Sequence, residues 1–194
     1  MTTAPMGLRE RKKLATREAL HEAALRLAVE LGLERLTVEA ICEAADVSRR
    51  TFSNHFAGKE EALLYGDRVR LLRVVELVRA RPAEESPWEA LSRAADELSA
   101  ETSYDPVWLE RMRIVRRTMS LATHSAALYA AVERDLTVDL AARTGDGDEL
   151  RARILAASFL MALRIASQHW LDHPEMSVVE LRRRTMELVA EQFR

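Results

Sequence analysis

The stretch that decides the fold is Thr37-Val-Glu-Ala-Ile-Cys-Glu-Ala-Ala-Asp-Val-Ser-Arg-Arg-Thr-Phe-Ser-Asn-His-Phe56. Thr37 is a good N-cap for a short helix over Val38 to Ala44, because its hydroxyl can accept from a backbone N–H of the first turn. Ala45-Asp46-Val47 then makes a tight turn, and Ser48 caps a second short helix that ends near Phe56. Val38, Ile41, Cys42, Ala45 and Val47 form a small apolar wedge that lets the two helices cross closely, and Phe52 and Phe56, four apart, anchor the second helix to the same core. Two short helices crossing at a tight turn follow the plan of a helix-turn-helix. With the phenylalanines facing inward, Arg49, Arg50, Ser53 and Asn54 occupy the outward arc, flanked by Thr51 and His55.

Those side chains suit a major groove. Arginine pairs bidentately with guanine O6 and N7, and asparagine with adenine. Thr51, His55 and Lys59 can reach phosphates, helped by backbone N–H groups at helix N-termini. Charge agrees: the formal net charge is −2, yet residues 1–20 hold Arg9, Arg11, Lys12, Lys13 and Arg17 against Glu10 and Glu18, and Val47 to Lys59 contains no acid. Basic patches at one end of a nearly neutral chain fit a polyanion partner. An ordinary solvated helix would also carry Arg49 and Arg50, but would not call for the cap, the turn and the paired aromatics together.

Outward from this stretch the pattern is helical throughout. Leu14, Ala15, Leu20, Ala23, Ala24, Leu27, Ala28 and Leu31 predict a helix from about Arg9 to Leu31, stopped by Gly32. Ala57-Gly58 precedes a long helix from Lys59 to about Arg79. Ser86 and Pro87 read as N-cap and first residue of a helix to about Ala100. Further helices are expected from Pro106 to about Met119, from Ser125 to Arg143, from the Thr144–Asp148 loop to about Leu171, and from Val178 to Phe193. The expected architecture is all-α with about nine helices: an N-terminal three-helix domain over residues 9–57, with its motif at 37–56, and a C-terminal bundle over 58–194.

The 194 residues are 48% hydrophobic and 31% charged, enough for a core in a soluble chain. No run approaches the roughly 20 apolar residues of a membrane span, and the first residues lack the apolar stretch of a signal peptide. A cytoplasmic protein with no membrane partner is expected. The single cysteine, Cys42, excludes an internal disulfide and reads as buried core. His169 and His173 are four apart, but Pro174 follows and no third ligand is evident, so no metal, cofactor or catalytic residue is expected.

From Arg11 to Leu64 the chain resembles the N-terminal domain of TetR-type (tetracycline repressor) transcriptional regulators. The matching runs are Thr16-Arg-Glu-Ala-Leu-His-Glu-Ala-Ala, Gly32, Thr37-Val-Glu-Ala-Ile, Ala45-Asp-Val-Ser-Arg-Arg-Thr-Phe and Asn54-His-Phe-Ala-Gly-Lys-Glu-Glu-Ala-Leu. The resemblance implies a DNA-binding domain joined to a ligand-binding and dimerisation bundle. It puts Thr37, Ser48, Arg49, Arg50, Thr51, Asn54, His55 and Lys59 at or beside DNA. Two positions depart from the family: Asp46 stands where glycine is usual, and Ser53 where an aromatic usually packs on the backbone. The C-terminal half resembles, more weakly, the mycofactocin-regulator subgroup, which implies an acyl-CoA-like effector.

The expected dimer face lies on the last two helices, at Leu155, Ala162, Ala166, Trp170, Leu181 and Leu188. An effector pocket is expected along Trp108, Met112, Val115 and Met119, a stripe stepping by four, three and four, with Phe159 and Leu163 opposite. The function expected from all this is a homodimeric repressor on a palindromic double-stranded operator. A small apolar or amphipathic effector would release it by mis-spacing the two reading helices. The competing expectation is an all-α small-molecule binder or enzyme whose N-terminal helices are only structural.

Overall fold

The computed structural model describes residues 7–101, 119–144 and 147–191, with the side chains of 119–123 excepted. Among them are nine α-helices and no strand: α1 (Leu8–Leu31), α2 (Val38–Ala44), α3 (Arg49–Ser53), α4 (Lys59–Leu63), α5 (Tyr65–Ala80), α6 (Pro87–Glu101), α7 (Met119–Ala141), α8 (Glu149–Asp172) and α9 (Val178–Ala190). They form two compact units, divided inside α5 between Gly66 and Asp67 and again inside α7, whose residues up to His124 go with the N-terminal unit.

In the N-terminal unit α1 packs on α2 and α4, and α2 packs on α3. The expected punctuation is in place. Gly32 ends α1 at φ 78°, its N–H bonded to Ala28 O at 3.1 Å. Thr37 Oγ1 accepts from Ala40 N at 3.1 Å, and Ser48 Oγ from Thr51 N at 3.0 Å, so each short helix begins on a side-chain cap. Asp46 adopts φ 52°, the left-handed conformation that the turn between α2 and α3 requires. An L-residue meets steric strain there, which a short polar side chain tolerates better than others and glycine escapes. α3 is shorter than expected: after Ser53 the chain tightens through Asn54 and His55, whose N–H bonds His55 N to Phe52 O (2.8 Å) and Phe56 N to Phe52 O (2.9 Å) still hold Phe56 beneath the helix.

The long helix expected from Lys59 to Arg79 is two helices, broken at Leu64. Ala62, Leu63, Leu64 and Tyr65 are all buried. Four consecutive residues sweep about 300° around a straight helix, so one continuous rod would leave part of them in water. The kink buries all four.

The C-terminal unit is a bundle whose core joins α5 (Val74, Val78), α6 (Leu91, Ala94), α7 (Leu136, Leu140) and α8 (Leu155, Phe159). α8 and α9 lie along one another, and both touch α6. Ser86 and Glu89 form a reciprocal capping box: Glu89 N donates to Ser86 Oγ (3.3 Å) and Ser86 N to Glu89 Oε2 (3.1 Å). Arg143 closes the far end of α5, donating to the carbonyls of Val78 (2.7 Å), Arg81 (3.0 Å) and Pro82 (2.6 Å). Asp148 caps α8 through Arg151 N at 3.0 Å. α7 is described from Met119 and runs through the expected start at Ser125, and the helix expected from Pro106 to about Met119 falls outside the described residues up to that point.

If the turn sets the stability of the N-terminal unit, Asp46→Val should cost about 1–2 kcal/mol, the penalty of a branched side chain in the left-handed region. Asp46→Gly should leave stability unchanged or raised. Chemical denaturation of the three proteins measures both.

Candidate nucleic-acid interface

α3 is only five residues long and stands on its aromatic underside. Phe52 and Phe56 are 2% and 3% exposed, with ring centroids 5.8 Å apart. Phe56 meets Tyr65 edge-on at 5.6 Å, and Tyr65 meets His21 of α1 at 5.7 Å. His21 Nδ1 lies 2.7 Å from the carbonyl oxygen of Ala62, which ties α1 to α4. On the opposite side of α3, Arg49, Arg50, Ser53 and Asn54 are exposed, while Thr51 and His55 are half-buried at its flanks. The outward arc expected from the spacing is therefore present in the fold.

Several of these polar side chains already have structural work. Ser48 and Thr51 share a hydroxyl–hydroxyl bond of 2.9 Å besides the cap. Thr37 is exposed at the start of α2, its hydroxyl held by Ala40 N–H. Lys59 Nζ donates to the carbonyls of Leu33 (3.0 Å) and Leu36 (2.9 Å), which pins the α1–α2 loop and leaves a third N–H of the ammonium for another acceptor. Arg49 Nη1 lies 2.6 Å from Glu39 Oε1. Glu39 was not anticipated; it becomes a neighbour only when the turn folds α3 against α2.

A second cationic group gathers at His55. Burial first, then the charges of Arg17 and Lys13, hold its pKa below the ordinary 6.5, so the ring is neutral near pH 7. Among the described residues, Arg17 Nε and His55 Nδ1 are buried without a hydrogen-bond partner. Buried polar atoms are nearly always satisfied; the Arg17 N–H calls for an acceptor, whereas the neutral His55 nitrogen donates or accepts according to its tautomer. Lys13 and Arg17 belong to the basic patch read from the sequence, but their approach to His55 is set by the fold and not by the spacing. Cys42 is buried, and desolvation and then Glu39 push its thiol pKa up, with Arg49 opposing; the thiol is correspondingly unreactive.

In the C-terminal unit, Leu155, Ala162, Ala166, Trp170 and Leu181 are buried within the protomer, whereas Leu188 is exposed. The apolar residues that α8 leaves outside are Leu150, Ile154, Ala157, Met161 and Ile165, which step by four, three, four and four along one face. Ala157 apart, each is at least 43% exposed. Phe159 and Leu163 sit in the main core. Trp108, Met112 and Val115 lie outside the described residues, as does the side chain of Met119. A cleft of about 220 Å³ runs between α6 and α9, with Trp88, Ala95 and Met186 on its walls and Asp96 and Glu187 among its polar residues. It is smaller than the roughly 300–1,000 Å³ of ordinary ligand pockets. His173 ends α8 as its C-cap, with its ring 4.6 Å from that of His169. Among the described residues no cluster of three or more metal-ligating side chains occurs, and no helix is long and apolar enough to cross a membrane.

Comparison with known proteins agrees with this geometry at both ends of the chain. The family model for bacterial regulatory proteins of the tetR family matches residues 20–65, and that for the MftR C-terminal domain matches residues 85–194. The HTH-type transcriptional regulator TcmR of Streptomyces glaucescens is 34% identical over 173 residues, covering 84% of this chain and 76% of its own. A protein of Mycobacterium tuberculosis described as a mycofactocin biosynthesis transcriptional regulator, MftR, is 26% identical over 176 residues, covering 88% and 87%. In three dimensions, the crystal structure of a TetR-family regulator from Syntrophomonas wolfei superposes with a TM-score of 0.62 at 15% identity, covering 91% of this chain and 93% of that one. A helix-turn-helix module with a free cationic face, joined to an MftR-type C-terminal domain, places the chain in the TetR family of transcriptional regulators.

Proposed function

We propose that this regulator is a homodimeric, effector-released repressor that reads a palindromic operator through α3. The supporting observation is the two-sidedness of that helix: Phe52 and Phe56 buried below, Arg49, Arg50, Ser53 and Asn54 exposed above. Arg49 and Arg50 are assigned to guanines and Asn54 to adenine. Ser53 is assigned a hydrogen bond at the edge of the contact. Thr37, Ser48, Thr51, His55 and Lys59 border the phosphates, and Lys13 and Arg17 join His55 there, where the Arg17 Nε N–H lacks an acceptor among the described residues. DNA binding is assigned to the unit built around residues 9–57, and effector binding and dimerisation to the chain from residue 58 on.

Dimerisation is assigned to the outer stripe of α8 (Leu150, Ile154, Ala157, Met161, Ile165) together with Leu188 of α9. A symmetric dimer presents two reading helices to half-sites one helical turn, roughly 34–36 Å, apart. The effector is assigned to the C-terminal domain and to an acyl-CoA-like class, on the likeness of that domain to MftR. It needs only about 1–3 kcal/mol of coupling to change operator occupancy substantially.

Three measurements bear on this reading. In gel-shift titrations with the DNA upstream of the protein's own gene, Arg50→Ala should lose about 1–3 kcal/mol, or roughly 5- to 150-fold, in operator affinity. An unchanged affinity would favour the alternative in which these helices are only structural. Ile154→Glu with Met161→Glu should halve the mass found by sedimentation, because two buried carboxylates cannot be accommodated in an apolar interface. Finally, phosphate beside His55 raises a pKa that burial and Arg17 hold below 6.5 in the free protein. Binding then takes up a proton, so operator affinity should rise as pH falls through the region of 6.5 and level off below the free-state pKa. His55→Gln should flatten that rise.

A further inference from the structure

The ion pair between Glu39 and Arg49 puts a carboxylate against the reading helix, and it is poorly explained as a stabilising device. Glu39 occupies the first turn of α2 and Arg49 the first turn of α3. Their side chains are 61% and 73% exposed, with Nη1 and Oε1 2.6 Å apart. Exposed pairs of this kind add little to folding stability, because solvent screens the attraction and two long side chains lose rotamer freedom. A carboxylate at this place also opposes a polyanion. The stretch from Val47 to Lys59 holds no acid of its own, so the presence of Glu39 beside the reading helix is costly for affinity.

What the contact does give is direction. A guanidinium is a rigid planar fork with five N–H donors. Fixing one Nη1 edge to a neighbouring carboxylate restricts the rotation of the plane while leaving the other donors for a base. A bidentate contact to guanine O6 and N7 is planar too, and discriminates only when the fork arrives in register. An unrestrained arginine can instead swing to the nearest phosphate, which contributes affinity but no sequence information.

We propose that Glu39 is a positioning residue for Arg49: it holds the guanidinium toward the base edges and away from the backbone, trading overall affinity for selectivity. The inference rests on the assignment of Arg49 to a base pair. The second carboxylate-bearing candidate for such a role, Glu43 on the same helix, is exposed but shares no ion pair with α3 among the described contacts.

The test is selection from a duplex library randomised over about 20 base pairs, run at one salt concentration with the wild type, Glu39→Ala, Glu39→Gln and Arg49→Ala. Arg49→Ala identifies the base pair that Arg49 reads, as the position whose preference collapses. At that pair, Glu39→Ala should weaken the preference at least about fivefold while binding unselected DNA about two- to fivefold more tightly. Glu39→Gln keeps an oxygen acceptor for Nη1 and should retain most of the preference. Thermal unfolding should be alike for all four, since both side chains are exposed. A Glu39→Ala variant with wild-type preference at that pair overturns the inference and leaves the DNA assignment standing. An Arg49→Ala variant with every preference intact overturns the assignment itself. A Glu39→Ala variant that loses preference equally at all positions also overturns the inference, because a damaged fold would do that.

Discussion

A helix of five residues has no stability of its own, since the cost of nucleating a turn exceeds what one or two hydrogen bonds return. α3 exists because Phe52 is buried beneath it. Around that burial the rest of the N-terminal unit is arranged: Phe56 four residues on, Tyr65 against Phe56, His21 against Tyr65, and α1 behind them. The two ends of α3 are then fixed by local chemistry, the Ser48 cap at one and the tightened turn through Asn54 at the other. Every side chain offered outward inherits its direction from this anchor.

That dependence separates residues that hold the surface from residues that use it. Thr37, Ser48 and Thr51 spend their hydroxyls on caps and on each other, and Lys59 spends two donors on the α1–α2 loop. A phosphate meeting these groups meets a surface whose geometry is already set, so they position the module and carry little sequence information. Under the proposed assignment, selectivity falls to Arg49, Arg50 and Asn54, whose exposed ends can adapt to base edges. Ser53, in place of the larger aromatic usual in the family, reduces the apolar contact that the helix can make with the sugar-phosphate chain. Under the proposed assignment, Lys13 and Arg17, gathered about the neutral ring of His55, compensate in that role.

Where the physics is local, the sequence was readable. Gly32, Thr37, Ser48 and the Ser86–Pro87 pair each announce a helix boundary through the chemistry of one or two residues, and each boundary is where the structure has it. Asp46 announced its own turn by departing from glycine. The break at Leu64 was hidden, because Ala62-Leu63-Leu64-Tyr65 satisfies a helical pattern and only the shape of the surrounding core requires all four inside. The Glu39–Arg49 pair and the approach of Arg17 to His55 were hidden for a related reason: an ion pair across a helix crossing, or a charge beside a half-buried ring, depends on tertiary contacts that spacing does not encode.

The C-terminal helices pose the same difficulty in a form that bears on function. Apolar residues on α8 appear on nearly every face, and hydrophobicity alone does not say which face meets the protomer's own core and which meets something else. The structure divides them. Leu155, Phe159, Ala162 and Ala166 turn inward, and Ile154, Met161 and Ile165 turn outward into water. An aliphatic row of this length costs free energy roughly in proportion to its exposed area, and a helix apolar all round is stable only when covered on every side. In the proposed dimer, a second copy of the same helix covers the row with the same row, as a two-fold interface requires. It is also the arrangement that turns one reading helix into two, the economy on which a palindromic operator depends.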